Sequence, residues 1–159
     1  MEIPLTNKND HTVFMREAIK EAQKTFKAGD IPVGAVVVFE NRVIGTGYNQ
    51  VELLKDPTAH AEMIAITSAT ATIQEKWLRE ATLYVTVEPC AMCAGASVLA
   101  RLKRLVYGVQ DVKTGAHSSL FNLLNDARLN HQIEVIPGIL KAECAHLMVE
   151  FFERLRKKD

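Results

Sequence analysis

The sequence predicts an α/β domain in which helices pack on a mixed sheet. Apolar positions at helical spacing between Thr12 and Ala28 point to this, as do nearly unbroken β-branched runs at Val33 to Phe39, Thr82 to Val87 and Leu105 to Val109. Such runs alternate with helical patterns along the whole chain. Its 159 residues, 48% of them hydrophobic, suit one domain over 1–159 with a single sizeable core. The 19 basic residues balance 19 acidic ones, so any site for a polyanion has to be a local patch. Met1 to Asp10 contains no apolar run and no stretch approaches a membrane span, so neither a signal peptide nor a membrane anchor is expected. Three cysteines, two of them in one C-x-x-C, make no disulfide framework and suit a reducing cytoplasm.

In chain order, Met15, Ala18, Ile19, Ala22 and Phe26 mark an amphipathic helix, with Asp10 or Thr12 as its cap and Gly29 at its stop. Ile31-Pro32 breaks away, and Val33 to Phe39 has the pattern of a strand covered on both faces. Glu40-Asn41 turns the chain into a second strand, Arg42 to Tyr48. Gly45, Gly47 and Asn49 at its end mark where backbone can approach a ligand closely. After a polar loop from Val51, Pro57-Thr58 prepares a helix whose Ala61, Ile64, Ala65 and Ser68 form a small-residue face for a sheet. This helix fades from Thr70 to Gln74, and Trp77 and Leu78 read as cover for a sheet edge. The strand Thr82 to Val87 ends at Glu88-Pro89, and a helix runs on to about Arg101. Leu105 to Val109 is a buried strand, Gln110 to Ser119 a polar loop and Leu120 to Asp126 a short helix. A short strand, Ile133 to Ile136, precedes a terminal helix with Cys144, Leu147, Met148, Phe151 and Leu155 on one face.

Two segments of this frame carry chemistry. His60-Ala61-Glu62 and Pro89-Cys90-Ala91-Met92-Cys93 together supply an imidazole, two thiols and a carboxylate. An imidazole and two thiolates bind Zn²⁺ tightly, and three protein ligands leave a fourth tetrahedral position for water, as in a catalytic site. The i, i+3 spacing puts Cys90 and Cys93 on one helical face, and the helix dipole at its N-terminus favours thiolates. Glu62 falls in the first turn of its own helix, where its side chain can converge with that of His60 and shuttle protons. A lone C-x-x-C also suits a redox dithiol or half of a structural zinc module. A redox pair has no use for His60 and Glu62, and a structural module closes its metal with a fourth Cys or His. His11, His117, His131 and His146 fall in no such pattern and read as surface or packing residues, and Cys144 as a small buried hydrophobe. The expectation is one Zn²⁺ per chain, held by His60, Cys90 and Cys93, with Glu62 as catalytic base and acid.

The pattern H-x-E followed by P-C-x-x-C is the known signature of zinc nucleobase deaminases. The chain resembles the cytidine deaminase superfamily and, within it, the bacterial tRNA-specific adenosine deaminase family. The likeness extends beyond the zinc motif to Ile31-Pro32-Val33-Gly34-Ala35-Val36, Arg42-Val43-Ile44-Gly45, Tyr48-Asn49 and Asp56-Pro57-Thr58-Ala59-His60-Ala61-Glu62. It continues through Thr82 to Cys90, Cys93-Ala94-Gly95-Ala96, Asp111 to Ala116 and Leu129-Asn130-His131. The resemblance implies a central mixed five-stranded sheet between helices in three layers, a homodimer, and conversion of the wobble adenosine of an arginine tRNA to inosine with release of ammonia. It also implies that Asn49 hydrogen-bonds the base, that Ala61 meets the ring or its oxyanion through its backbone N–H, that Val33 forms an apolar wall, and that Asp111 and Asn130 touch the anticodon loop. Ala116-His117-Ser118-Ser119 departs from the small, glycine-containing loop usual in the family, which bears on how that loop is seated.

One alternative keeps the zinc chemistry but acts on a free base or nucleotide such as guanine, cytosine or deoxycytidylate. Riboflavin-pathway deaminases space their second and third ligands more widely. Another alternative, a non-catalytic zinc-stabilised RNA-binding module, leaves Glu62 without a purpose. The partner expected is a tRNA anticodon stem-loop, with no membrane and no protein partner evident. Arg101, Lys103 and Arg104, and Arg154, Arg156, Lys157 and Lys158, are candidates for its phosphates, although cations also suit helix C-termini on dipole grounds alone.

Overall fold

The computed structural model describes residues 10–158; the reading of Met1 to Asp10 as free of a leader falls almost wholly on residues outside them. Helix α1 (Thr12–Gln23) tightens into a 3-10 turn (Lys24–Ala28) that stops at Gly29, whose φ of 71° is left-handed. Asp10 Oδ1 accepts a hydrogen bond from the Thr12 N–H at 3.2 Å, but the N-cap position falls to His11, whose side chain makes no capping bond, so neither Asp10 nor Thr12 occupies it. Strands β1 (Gly34–Phe39) and β2 (Arg42–Tyr48) form an antiparallel hairpin. Its turn residues Glu40 and Asn41 both have positive φ, 50° and 60°, the twist that matches flanking strands. A one-turn helix α2 (Val51–Leu54) sits in what reads as a polar loop, because the buried Asp30 carboxylate accepts from the Glu52 N–H at 2.8 Å.

Helix α3 (Ala61–Ile73), β3 (Thr82–Val87), α4 (Ala91–Leu99), β4 (Arg104–Val109), β5 (Glu134–Ile136) and α5 (Lys141–Lys157) complete the chain. The sheet order is β2-β1-β3-β4-β5, with β1 antiparallel to β2 and β3, and β4 parallel to β3 and β5. The period-2 pleat sorts the core into two halves. Val36, Val38, Tyr84 and Val106 face Phe14, Met15 and Ala18 of α1 and Cys144 of α5. Ala35, Val37, Leu83, Val85, Leu105 and Tyr107 face Ala61, Ala65 and Ala69 of α3 and Ala94 and Val98 of α4. The domain therefore has three layers, the mixed five-stranded sheet lying between helices.

Segment 120–126 is not a helix. Its groups bond outward instead: Leu123 N–H to the Ala116 carbonyl at 2.9 Å, and Asn125 Nδ2 to the Ile133 carbonyl at 2.6 Å. Leu124 is buried as the anchor. Of the two residues read as edge cover, Leu78 is buried, while Trp77 is 41% exposed, with the Lys76 and Arg79 cations each 4.5 Å from its ring centroid.

Gly45 and Gly47 do meet backbone closely, but the backbone is that of α3. A Cβ on Gly47 would overlap the Ala61 carbonyl and the Ala65 nitrogen, and one on Gly45 the Ala65 carbonyl and the Ala69 nitrogen. The small faces of β2 and α3 thus let the helix lie directly on the strand and fix the height of its N-terminus. Gly47→Ala is expected to destabilise the fold by ~1–3 kcal/mol, the cost of overpacking a close contact, read as a lower denaturation midpoint at unchanged slope.

Candidate metal centre and active site

The connectivity brings the site together. Helix α3 leads into the start of β3 and α4 leaves from its end, so the two helices, packed on one face of the sheet, open their N-termini at the same edge. His60 occupies the N-cap position of α3 in extended conformation (ψ 150°), and Cys90 the corresponding position of α4 (ψ 176°). Pro89 and the extended Cys90 turn the chain from strand into helix, and one helical turn later Cys93 points to the same place.

His60 Nδ1 lies 3.6 Å from Cys90 Sγ and 3.6 Å from Cys93 Sγ. A tetrahedral zinc with Zn–N near 2.05 Å and Zn–S near 2.3 Å would separate N from S by about 3.6 Å. The donor set and its spacing fit that ion. Among the described residues, these three form the one cluster of metal-ligand side chains, all within 4.8 Å of one another. Without a metal, the hydrogen bond between the sulfurs, assisted by His60, holds Cys90 down to about 4. The same bond pushes the Cys93 thiol up, because one proton serves both sulfurs. The hydrogen bond with Cys90 raises His60 against the opposing effect of burial, helped by the nearby Glu62 charge. A divalent cation would displace the shared proton.

Glu62, in the first turn of α3, is 4% exposed. Burial, foremost, pushes its carboxyl above the usual range, while its own backbone N–H and the Cys93 thiol partly offset this. It is therefore a carboxylate placed to take up a proton at the edge of the cluster.

Three of the residues assigned by resemblance are tied into the same corner. Asn49 Oδ1 accepts from the Ala61 N–H at 2.9 Å and Nδ2 donates to the Ile31 carbonyl at 3.1 Å, which leaves one amide hydrogen on Nδ2. The Ala61 N–H is thus already engaged within the protein. Val33 is 9% exposed, and its carbonyl accepts from the Asn49 N–H at 3.1 Å. Asp111 turns its carboxylate back onto the Lys113 and Thr114 N–H groups at 3.1 and 3.2 Å. Asn130 stands exposed in the segment before β5 and, among the described residues, makes no hydrogen bond to the cluster. The other histidines have packing or surface places: His11 bonds Tyr84 Oη at 2.8 Å, His117 bonds Tyr107 Oη at 3.0 Å and His131 bonds the Leu102 carbonyl at 2.6 Å, while His146 is exposed. The basic groups are partly committed locally, Lys103 to Glu80, Arg104 to Glu134 and Arg154 to Glu150.

Sequence reasoning missed Glu88, which is 3% exposed and bonded throughout the 111–119 loop. A signal was present, since an acid closing an otherwise buried strand directly before Pro-Cys needs donors from elsewhere in the chain.

The family model described as MafB19-like deaminase matches residues 9–156. A tRNA-specific adenosine deaminase of Bacillus subtilis (strain 168) is 46% identical over 146 residues, 92% of this chain and 91% of that protein. This chain belongs to the tRNA-specific adenosine deaminase family. A second relative with that name, from Haemophilus influenzae, is 47% identical over 91% of this deaminase and 84% of its own length. A structure solved in work on A-to-I editing by tRNA:A34 deaminases at the wobble position of transfer RNA superposes with a TM-score of 0.82 at 39% identity. It covers 86% of this deaminase and 99% of its own chain. The cytidine deaminase-like architecture expected from the sequence is the one observed, and the deaminase is a hydrolytic enzyme by family. No helix among the described residues is long and apolar enough to cross a membrane.

Proposed function

We propose that this deaminase, acting as one zinc-dependent domain over 1–159, converts the wobble adenosine of an arginine tRNA to inosine and releases ammonia. The observation that carries the reading is the buried Glu62 carboxyl beside a His60–Cys90–Cys93 cluster of zinc dimensions, in a chain of this family. When bound by these three side chains, zinc supplies the Lewis acidity that makes water a nucleophile near neutral pH. Glu62 takes the proton from the attacking water and gives it to the ring nitrogen of adenine, then takes the proton of the hydroxyl newly added at C6 and passes it to the amino group, which leaves as ammonia, so it acts in turn as base and acid.

Asn49 offers its remaining amide hydrogen to the base, while its Oδ1, which accepts the Ala61 N–H, fixes Ala61 at the side of the pocket. Val33 supplies the apolar wall, and Asp111 and Asn130 meet the anticodon loop. A single-stranded loop suits such a pocket because splaying out one of its bases costs less than opening a duplex, and flanking nucleotides add contacts. A cytoplasmic homodimer is part of the same reading. The exposed Arg156 and Lys157 in the last turn of α5, with Lys158 just past its end, add phosphate affinity.

The test compares kcat/KM for an adenosine-containing anticodon stem-loop with free adenosine, guanine and cytosine in one buffer. The stem-loop is expected to win, with adenosine alone a poor substrate. If guanine or cytosine wins, the RNA reading fails and the free-base alternative replaces it, with the zinc chemistry intact.

A further inference from the structure

We infer that Glu88 is a positioning residue whose carboxylate clasps the 111–119 loop to the metal-binding edge and thereby sets where Asp111 meets the substrate RNA. The inference rests on the RNA reading above.

Glu88 accepts five hydrogen bonds, all from one loop. Oε1 receives the Asp111 N–H at 3.2 Å and the Ser119 hydroxyl, and Oε2 receives the N–H groups of His117, Ser118 and Ser119 at 2.9, 3.0 and 3.3 Å. Three successive N–H groups converging on one oxygen form the kind of concavity that backbones use to bind free anions. Here the anion is the chain's own. Gly115 lines the carboxylate so closely that a Cβ there would overlap it.

The clasp is continuous with the metal site. The residue after Glu88 accepts from the loop, Ala116 N–H to the Pro89 carbonyl at 2.8 Å, and Cys90 itself bridges to Gly115. Further along, His117 Nδ1 and Tyr107 Oη lie 3.0 Å apart, and Gln110 Nε2 donates to Ser118 Oγ at 3.0 Å. His117 and Ser118, which depart from the family's usual loop, therefore add side-chain ties to a segment whose backbone Glu88 already holds. With its N–H on Glu88 and its carboxylate turned onto Lys113 and Thr114, Asp111 is fixed at both ends.

The decisive variant is Glu88→Gln in the zinc-loaded protein. A glutamine keeps one acceptor for the His117–Ser119 N–H groups but turns an amide donor toward the Asp111 N–H, so the Asp111 end is released selectively. Without RNA, amide exchange at Asp111 is expected to accelerate by ~10-fold or more, and KM for the stem-loop to rise by about as much, the scale of one hydrogen bond lost. Zinc content and kcat should stay near those of the unmodified protein. Because Glu88 acts through Asp111, Glu88→Gln should add nothing to the KM increase of Asp111→Ala in a double-mutant cycle. Ser119→Ala, which removes one donor and leaves the carboxylate, should move KM the same way by a smaller factor and serves if the glutamine variant does not fold. Unchanged exchange, a fall in kcat at constant KM, or additive effects in the cycle would each overturn the proposal. If the unmodified protein prefers a free base, the RNA reading fails separately, and the clasp is judged by exchange alone, unchanged exchange overturning it.

Discussion

Glu62→Ala is expected to keep its fold and its zinc and to lose at least ~10²-fold in kcat, the lower end of what a positioned acid and base contributes. The side chain reaches no ligand position: the imidazole and the two sulfurs supply the metal donors, and the carboxyl stands beside them, 4% exposed, against the Cys93 thiol. Its burial favours the protonated form, which is what a group must sustain if it is to take a proton and pass it on. Glu62→Gln separates the proton from the shape, since the amide fills the same space and cannot accept and return a proton at this pH. Both variants should therefore lose activity with metal content unchanged. Near-normal turnover in either would assign Glu62 to structure and leave the proton transfers without a carrier.

The second large effect concerns the metal itself. The unmodified protein should carry about one zinc per chain, and His60→Ala, Cys90→Ala or Cys93→Ala should each lose most of it, because two remaining ligands do not close a tetrahedral site. Elemental analysis after gel filtration reads this directly, and full retention in any two of the three would sink the ligand assignment. Oxidation gives an independent check. Zinc needs both sulfurs as thiolates, so a Cys90–Cys93 disulfide should expel the ion and abolish deamination, and reduction with added zinc should restore both. Removing the metal returns a proton to the pair, which the two sulfurs then share, with Cys90 holding the greater part of the negative charge.

His60, Glu62, Cys90 and Cys93 were legible in the sequence because each pair lies within one helical turn, and spacing over a turn is set by helix geometry whatever the rest of the chain does. The layers were legible for a related reason: a strand buried on both faces and a helix buried on one write their periods into consecutive residues. Those signals are local, and so is their reach. That α3 and α4 open at one edge follows from the strand order β2-β1-β3-β4-β5, which no single segment encodes. The glycines of β2 announced a close approach without naming the partner, since a missing Cβ shows only that space is needed; the fold put α3 there and not a ligand. The 120–126 segment has residues compatible with a helix, but bonds to Ala116 and Ile133 took its polar groups first. Glu88 lies 23 to 31 residues from the donors that surround it, so its role depends on β4 and the loop after it returning beside the end of β3. The sequence by itself determined the candidate ligands, the candidate proton carrier and the layer pattern; the tertiary structure alone decided what the buried acid before Cys90 holds, because its partners meet it only after the chain has folded.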